Sequence, residues 1–339
     1  MTMRESDIRP LDILTEYLRL SAADAERFFD SGELHRTRPC PACDAPEADN
    51  VIFKKNRFDI ALCERCGSLF VVNVPTQEQL ASFYEESESQ KYWAKTFSPA
   101  VAEARREKIF RPRAKRIKHL ALDLQLEVKS LVDVGSGAGI FLEEARKIEL
   151  GVHHRGIEPT AELAAETEAR GFEVFHGFSD QAAANPQWNK KADLVVSFEV
   201  LEHIPDSVGF FTDLANLATE SGLIVVSGLS GAGFDISVLG EASPAVSPPH
   251  HLNFLSPQGV GHALTRAGLE AVDIFTPGEL DVDIVRNVLN GDPDIEIDPF
   301  IARLVTAGTD KSRAAFQSYI SAHRLSSHMW VVARKARRG

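Results

Sequence analysis

Residues 131–141 have the sequence Leu-Val-Asp-Val-Gly-Ser-Gly-Ala-Gly-Ile-Phe, and this stretch decides the fold of the chain. Its apolar start is typical of a buried strand, its three alternating glycines indicate a tight turn, and a helix begins at Ile140. A strand, a glycine turn and a helix in this order bring backbone N–H groups and a helix N-terminus against a ligand. Glycine is needed where a side chain would block that approach or where φ must be positive. The stretch therefore predicts a ligand site at the end of a buried strand.

Two acidic residues near this turn narrow the class of ligand. The glycine spacing differs from the Gly-x-Gly-x-x-Gly of dinucleotide enzymes, and Asp133 stands two positions before the first glycine. A carboxylate in that position suits a ligand that carries its own cation. Glu158 ends the next strand-like run, about 20 residues past the glycines, where a carboxylate binds ribose in nucleotide-binding βαβ units. S-Adenosylmethionine has both the ammonium and the ribose that these two acids would bind.

From residue 131 to residue 333 the chain resembles the class I S-adenosylmethionine-dependent methyltransferases. Strands are predicted near residues 131–134, 152–157, 172–176, 193–198, 222–227, 270–275 and 328–334, with helices between them. Such alternation implies a parallel sheet covered on both faces. The resemblance implies an α/β, Rossmann-like fold with a seven-stranded sheet whose last strand is antiparallel. It also implies that the cofactor lies against Asp133, Gly135, Ser136, Gly137, Gly139 and Glu158.

Two later strand ends complete the cofactor site that the resemblance implies. The turn after the third strand contains Phe178, which either lines the adenine ring or belongs to ordinary core. The fourth strand leads into Phe198 and Glu199, which in similar small-molecule methyltransferases lie by the methionine end of the cofactor. His203 follows and is either a structural residue of the loop or a general base. Together with Glu202 it also suits a divalent metal, as in some quinone-biosynthesis relatives.

Adjacent histidines in a Pro-Pro-His-His segment are the best candidates for a catalytic base. His250 and His251 directly follow a long Gly/Ser/Pro-rich loop, residues 228–249, that should lie over the carboxyl end of the sheet. Imidazole titrates near neutral pH and can take a proton from a hydroxyl or an activated carbon. The alternative is that one of the two histidines stabilises the loop. Ser256 is predicted to cap the helix that follows.

The four cysteines of the chain form two Cys-x-x-Cys pairs and predict a zinc ribbon. Cys40 and Cys43 are followed, after a spacer of 19 residues, by Cys63 and Cys66. Two such knuckles supply four thiolates in a tetrahedron, which suits a structural zinc ion with no open position for catalysis. The alternatives are a redox dithiol or two unrelated pairs.

Composition limits the partners and the location of the chain. Its 339 residues carry a net charge of -12, which argues against nucleic acid or an anionic membrane as a general partner. No apolar run reaches the length of a membrane span, and the first ten residues lack an apolar signal region. We therefore expect a cytoplasmic protein, with an oligomer possible.

The chain divides into four predicted regions. Residues 10–29 indicate two short helices with Ser21 as a cap between them, residues 75–84 a helix, and residues 85–95 a loop able to close over a ligand. A basic helix over 98–121 predicts a solvated face or a phosphate contact. The regions are N-terminal helices over 1–36, the zinc ribbon over 37–74, a helical linker or lid over 75–125 and the methyltransferase domain over 126–339, with a helical insertion at 276–327.

The combination of a four-cysteine module with this domain is similar to the deoxysugar C-methyltransferases of nucleotide-sugar pathways. The resemblance implies methylation of a small molecule, foremost a sugar or nucleotide sugar, at oxygen or carbon. Their active-site tyrosine–histidine pattern is matched only in part by His250 and His251. One alternative is an RNA methyltransferase that grips nucleic acid with the ribbon. Another is a non-catalytic scaffold that has kept the cofactor fold.

Overall fold

A computed structural model describes residues 3–29, 38–46 and 50–336, and its first elements are two helices. These are α1 (Glu5–Ile8) and α2 (Leu11–Phe28). The prediction of two short helices over 10–29 is wrong, because the alanine-rich run 22–25 has high helix propensity and continues α2. Ser21 lies buried within α2 with its hydroxyl 3.3 Å from that of Ser247, and it caps nothing. Residues 1, 2 and 30–36 of the predicted N-terminal region lie outside the described residues.

The cysteine-bearing segment forms an antiparallel sheet, as a ribbon requires. Its strands are β1 (Val51–Lys55), β2 (Phe58–Leu62) and β3 (Leu69–Val71), paired in that order. The second cysteine pair lies in the turn between β2 and β3, where the sequence places it, and Gly67 there has a φ of 70°. Residues 37 and 47–49 of the predicted ribbon lie outside the described part of the chain.

The next region is helical from residue 77 to residue 123. The predicted loop over 85–95 is wrong, since most of it belongs to helices. Two π-helical turns, Trp93–Phe97 and Arg106–Phe110, join consecutive α-helices. Each turn precedes a proline, Pro99 or Pro112, which lacks an N–H and displaces the carbonyl four residues earlier, so the helix widens there. The helices are α3 (Gln77–Glu86), α4 (Glu88–Tyr92), α5 (Ser98–Arg105) and α6 (Arg111–Asp123).

The first half of the large domain alternates strand and helix as predicted. Hydrophobic strands lie between two layers of helices, and separate apolar clusters form on the two faces of the sheet. The elements are β4 (Ser130–Val134), α7 (Ile140–Lys147), β5 (His153–Glu158), α8 (Ala161–Ala169), β6 (Glu173–His176), α9 (Ser179–Ala184), β7 (Ala192–Phe198), α10 (Ser207–Leu217) and β8 (Ala218–Leu229).

The second half departs from simple alternation at two places. The long loop after β8 contains α11 (Phe234–Leu239) and ends in a two-residue strand, β9 (Asn253–Phe254), before α12 (Pro257–Arg266). Ser256 caps α12 as predicted, because its Oγ accepts the Gly259 N–H at 2.8 Å. After β10 (Leu269–Phe275), three helices precede the last strand: α13 (Asp281–Gly291), α14 (Pro299–Thr306), α15 (Asp310–Ala322) and then β11 (His328–Lys335).

The seven-stranded sheet has the order β10-β11-β8-β7-β4-β5-β6. Strands β4, β5, β6, β7 and β8 pair in parallel, and β11 is antiparallel to both β8 and β10. This confirms the predicted fold class, including the antiparallel last strand. Within the described ranges, no helix combines the length and the apolar character that crossing a bilayer requires.

Strand β9 joins the ribbon to the large domain. It pairs antiparallel with β3, so the ribbon sheet has four strands in the order β1-β2-β3-β9. Arg38 reinforces this junction, since its guanidinium donates to the carbonyls of Val71 at 2.8 Å and Leu252 at 3.0 Å. The segment that carries His250 and His251 therefore lies between the ribbon and the sheet.

Candidate active site

The glycine turn sits between β4 and α7 at the carboxyl edge of the sheet. Gly135 has a φ of 77°, and a Cβ on it would lie 2.5 Å from Cγ2 of Val200. Gly139 has a φ of 73° at the start of α7, and a Cβ there would lie 2.9 Å from the hydroxyl of Thr167. Both positions therefore require glycine on grounds of backbone conformation and space. Ser136, Gly137 and Gly139 follow one another in this turn as the sequence predicts.

Glu158 closes the turn from the neighbouring strand. Its Oε2 accepts the Gly137 N–H at 2.8 Å and its Oε1 accepts the Thr160 N–H at 2.9 Å. The carboxylate ends β5 beside the glycine turn and is 5% exposed. It thus fixes the turn, while each carboxylate oxygen keeps a lone pair for a ligand hydroxyl.

Asp133 and Ser136 carry buried atoms that lack partners. Asp133 Oδ1 and Ser136 Oγ have no hydrogen-bond partner among the residues that the structure describes. Burial, followed by the negative charge of Glu158, raises the pKa of Asp133 to about 8, and Arg113 opposes this. A cationic ligand group would supply the missing partner and ionise the carboxyl. These two oxygens can accept hydrogen bonds and fit the ammonium-bearing amino-acid end of S-adenosylmethionine.

Glu199 follows β7 in a left-handed conformation, with a φ of 55°. Its Oε1 accepts from Nη2 of Arg113 at 2.8 Å and from the Ser227 hydroxyl at 2.6 Å. Burial raises the pKa of this carboxyl, but His328, Arg113 and the Ser227 hydrogen bond together lower it to about 2. Glu199 is therefore ionised and held in place by the chain itself.

The two phenylalanines of the predicted cofactor site differ in exposure. Phe198 is 9% exposed, packs edge-on against Phe141 at a centroid distance of 4.8 Å, and lies under the guanidinium of Arg113 at 4.9 Å. Phe178, at the start of α9, is 57% exposed, so it does not belong to the core. Its ring is free to cover a planar group of a ligand.

His250 is packed among helices α2, α3 and α4. Its Nε2 lies 3.2 Å from Ser89 Oγ and its Nδ1 lies 3.3 Å from Nε2 of Gln90. Its ring contacts Phe83 at a centroid distance of 4.9 Å and Tyr17 at 5.6 Å. Burial lowers the pKa of His250 well below its usual value. Both ring nitrogens therefore have partners within the protein.

His251 points the other way, towards the end of β7. Its Nδ1 lies 2.6 Å from the carbonyl oxygen of Ala245, which can only accept, so Nδ1 carries the proton and Nε2 holds a lone pair. Burial, followed by the proximity of His203, lowers the pKa of His251 to about 3. The rings of His251 and His203 lie 4.8 Å apart. His251 is consequently a neutral imidazole at neutral pH.

Glu202, His203 and His251 form a compact group. One possible ligand atom from each lies within 4.8 Å of the others. Glu202 Oε2 is buried without a partner in the described part of the chain. Burial, then the charge of Glu199, raises the pKa of Glu202 well above its usual value. The group thus lacks one positive partner, which a proton or a cation would supply.

The four cysteine sulfurs come together as predicted. Sγ of Cys40 and Cys66 are 3.6 Å apart, those of Cys43 and Cys63 are 3.5 Å apart, and all four lie within 4.8 Å of one another. Tetrahedral zinc with Zn–S bonds of about 2.3 Å needs sulfurs about 3.8 Å apart. The geometry fits a zinc ion, and none of the four is in a disulfide.

The sequence singles out neither Arg113, which pairs with Glu199, nor Arg105. Both lie in the basic segment that was expected to be a solvated face or a phosphate contact, yet Arg113 is 8% exposed and Nε of Arg105 is buried. A periodic signal was present for one of them, because Arg113, Ile117 and Ala121 share a buried helix face at intervals of four residues. Arg106 and Arg111 of the same segment instead form ion pairs with Glu144.

Comparison with known proteins places this arrangement in a family. A family model described as a methyltransferase domain matches residues 102–274, just over half of the chain. A ubiquinone biosynthesis O-methyltransferase of Xanthomonas euvesicatoria is 27% identical over 172 residues, which are 47% of this chain and 70% of the relative. A ubiquinone biosynthesis O-methyltransferase of Xanthomonas campestris is 24% identical over 213 residues, which are 59% of this chain and 87% of the relative.

Two solved methyltransferase structures align with most of this chain at low sequence identity. The plantazolicin methyltransferase BpumL, solved with S-adenosylhomocysteine, has a TM-score of 0.48 at 13% identity and covers 76% of this chain and 94% of its own. An S-adenosylmethionine-dependent methyltransferase from Archaeoglobus fulgidus has a TM-score of 0.45 at 16% identity. The match covers 68% of this chain and 94% of the Archaeoglobus chain. Given the glycine turn, the seven-stranded sheet and the matching family model, this chain belongs to the methyltransferase-domain family and is an S-adenosylmethionine-dependent methyltransferase.

Proposed function

We propose that the chain transfers a methyl group from S-adenosylmethionine to a small molecule bound over the carboxyl end of the sheet. Asp133 binds the ammonium group and Glu158 binds the ribose. The cofactor lies against the glycine turn, which consists of Gly135, Ser136, Gly137 and Gly139. Phe178 covers the adenine, while Phe198 and Glu199 shape the methionine end. The unpartnered Asp133 Oδ1 and Ser136 Oγ support this assignment.

His251 is the base in this proposal. The observation that carries it is the hydrogen bond from Nδ1 to the Ala245 carbonyl at 2.6 Å, which leaves an unprotonated Nε2. The acceptor's oxygen, or its enolate carbon, attacks the sulfonium methyl in line and the C–S electron pair leaves with S-adenosylhomocysteine. Nε2 takes the proton that the acceptor loses. His203 orients His251 through their ring contact at 4.8 Å, and His250, with both nitrogens in use, supports the loop.

The acceptor we propose is a sugar or nucleotide sugar, methylated at oxygen or carbon. Support comes from the combination of a four-cysteine module with this catalytic domain, as in the deoxysugar C-methyltransferases that the sequence resembles. The names of the curated relatives favour an acceptor hydroxyl, since they are O-methyltransferases of ubiquinone biosynthesis. The net charge of -12 disfavours the RNA alternative.

A second arrangement would use Glu202, His203 and His251 to hold a divalent cation. The buried Glu202 Oε2 without a partner favours it, and the three ligand atoms are within 4.8 Å of one another. Such a cation would lower the pKa of an acceptor hydroxyl. Turnover that is unchanged by EDTA and by added Mg²⁺ or Mn²⁺ would exclude this arrangement and leave His251 as the base.

The ribbon's role in this proposal is structural. Cys40, Cys43, Cys63 and Cys66 hold a zinc ion whose four thiolates leave no open position, so it fixes the fold of the ribbon and does no chemistry. We expect about one zinc per chain by elemental analysis.

The test is S-adenosylhomocysteine release from S-adenosylmethionine with a panel of nucleotide sugars and hydroxyaromatic compounds. With the acceptor so found, His251→Asn should lower kcat by about 10²-fold or more, the usual worth of a general base, and leave cofactor affinity intact. His153→Asn, an exposed histidine at the opposite strand end, is the matched control. Normal turnover in His251→Asn would remove it as the base.

A further inference from the structure

Among the described residues, one oxygen of Glu199 takes all the polar contacts of this carboxylate. Oε1 accepts from Nη2 of Arg113 at 2.8 Å and from the Ser227 hydroxyl at 2.6 Å, and Nδ1 of His328 lies 3.5 Å from the same oxygen. Oε2 receives no hydrogen bond from any residue that the structure describes, and 27% of the side-chain surface is exposed. One oxygen is therefore anchored by the protein, and the other is left for a ligand.

The pairing of the strands explains why these groups meet. His328 and Trp330 are two residues apart on β11, so their side chains lie on the same face of the sheet. In the antiparallel pair of β11 with β8, Trp330 lies opposite Ser227, which puts the Ser227 side chain on that face too. Ser227 is in turn paired with Phe198, the residue before Glu199, across β8 and β7. Neighbouring strands therefore bring His328 to the carboxylate of Glu199.

Trp330 determines which nitrogen of His328 carries the proton. The indole N–H can only donate, and its Nε1 lies 2.9 Å from Nε2 of His328. Nε2 therefore holds the lone pair, and the proton of the neutral imidazole is on Nδ1, which is the nitrogen that faces Glu199. His328 accordingly presents an N–H, and not a lone pair, to the carboxylate.

The helical insertion holds the backbone that leads into His328. Asp281, the first residue of α13, accepts from the Ser327 N–H and from the Ser326 hydroxyl, each at 2.8 Å. The His328 N–H donates to the same Ser326 hydroxyl oxygen at 3.2 Å. Asp281 is 2% exposed, so water does not compete for these contacts. A buried carboxylate of the insertion thus fixes the two residues that precede His328.

Glu199 lies beside the glycine turn. Val200, the next residue, packs so closely on Gly135 that a Cβ there would lie 2.5 Å from Cγ2 of Val200. Asp133, the proposed partner of the cofactor's ammonium, stands two positions before Gly135 on β4, the strand adjacent to β7. An ammonium group has three N–H donors, which is enough for both carboxylates.

We infer that His328 is a positioning residue of the cofactor site, which holds Glu199 so that Oε2 receives an N–H of the cofactor's methionine end. Trp330 sets the proton on the His328 ring, and Asp281 sets the position of the backbone before it. The inference rests on the proposed function. It gives the helical insertion and β11 a part in cofactor binding, which they exert through Glu199.

The test is calorimetric titration of the full chain with S-adenosylhomocysteine, which keeps the amino-acid end of the cofactor. His328→Leu removes the Nδ1–H and should weaken binding about ten-fold, as loss of a hydrogen bond to a charged group does. His328→Asn has an amide N–H that can take the place of the Nδ1–H, so its affinity should stay within about three-fold of the wild type. His119→Asn, the same change at an exposed histidine of α6, is the matched control and should bind like the wild type.

A double-mutant cycle separates the positioning of Glu199 from a general structural effect of the His328 substitution. Glu199→Gln should weaken binding about ten-fold by itself, and adding His328→Leu to it should weaken binding no further. Additive losses, wild-type affinity in His328→Leu, or equal losses in His328→Leu and His328→Asn would each overturn the inference.

The ring proton gives a readout that needs no ligand. In protein with isotope-labelled histidine, a long-range proton–nitrogen correlation spectrum distinguishes the two neutral tautomers, and the His328 signal is the one that His328→Asn lacks. We expect the proton on Nδ1, and a proton on Nε2 would overturn the inference.

The same titrations distinguish this inference from the proposed function. Failure of the folded wild type to bind S-adenosylhomocysteine contradicts the proposed function itself. Wild-type affinity in Glu199→Gln, together with weak binding in Asp133→Asn, would overturn only the role of His328 and leave the cofactor at the glycine turn.

Discussion

Asp133 is the residue on which the proposed mode of cofactor binding depends most directly. In the ligand-free protein its pKa is raised to about 8 by burial and by Glu158, so at pH 7 the carboxyl is largely protonated. An ammonium brought to Oδ1 favours the ionised form, so binding must expel the proton. In the proposed site, the same residue would therefore recognise the cofactor and couple its binding to pH.

At this scale we predict that S-adenosylhomocysteine binding releases up to one proton per site at pH 7, and that affinity rises between pH 6 and pH 8. The sign follows from the raised pKa, because the proton must leave as the cation arrives. Calorimetry in two buffers of different ionisation enthalpy measures the release. Equal enthalpies in the two buffers would contradict the prediction. Asp133→Asn, which has no proton to lose there, is the control.

The raised pKa also acts on the stability of the ligand-free protein. A carboxyl whose pKa is higher in the folded than in the unfolded state contributes stability that is present below its unfolded pKa and is lost as pH rises through about 8. The bound cofactor reverses this, since it pairs the charge. The stabilisation by S-adenosylhomocysteine should thus grow over the same pH window.

At the scale of elements, the ribbon is joined to the loop that carries His251. Strand β9 begins two residues after His251 and pairs with β3 of the ribbon. The Ser256 N–H donates to Ser68 Oγ at 3.0 Å, and the Ser256 hydroxyl donates to the carbonyl of Cys66. The backbone of the second cysteine knuckle therefore positions the loop that carries His251, the proposed base.

We accordingly predict that zinc removal lowers kcat by more than ten-fold while S-adenosylhomocysteine affinity changes by less than about three-fold, because Asp133 and Glu158 lie on other strands. Chelation followed by turnover and binding measurements on the same sample tests this. Re-addition of zinc is the control and should restore the rate. Full activity of zinc-free protein would show that the ribbon does not position His251.

The elements that the sequence predicts correctly are those with a local pattern. The glycine turn, the alternating strands and the cysteine pairs are local patterns, and they lie where the sequence places them. The pairing of β9 with β3 and the Arg113–Glu199 ion pair join segments far apart in the chain, and no local period signals them. The continuous α2 and the helical run over most of 85–95 differ from the prediction because Ser21 also fits a helix cap and a polar run also fits a loop. No local period signals the π-helical turns before Pro99 and Pro112.

At the scale of the whole molecule, segments from three regions meet at the carboxyl end of the sheet. Glu158 closes the glycine turn from the sheet, the loop beside the ribbon brings His251 against His203, and helix α6 brings Arg113 to Glu199. Helix α1 also reaches the insertion between β10 and β11, where Asn287 donates to Glu5 at 2.9 Å. The regions outside the sheet thus contact both one another and the segments that carry the proposed site.

The most direct measurement of the central claim is calorimetric titration of S-adenosylhomocysteine into the wild type, Asp133→Asn and His251→Asn. We predict one site per chain in the wild type, binding weakened by at least about ten-fold in Asp133→Asn through loss of a charge-assisted contact, and wild-type binding in His251→Asn. No binding to the folded wild type, or equal binding to Asp133→Asn, would contradict a cofactor site at the glycine turn.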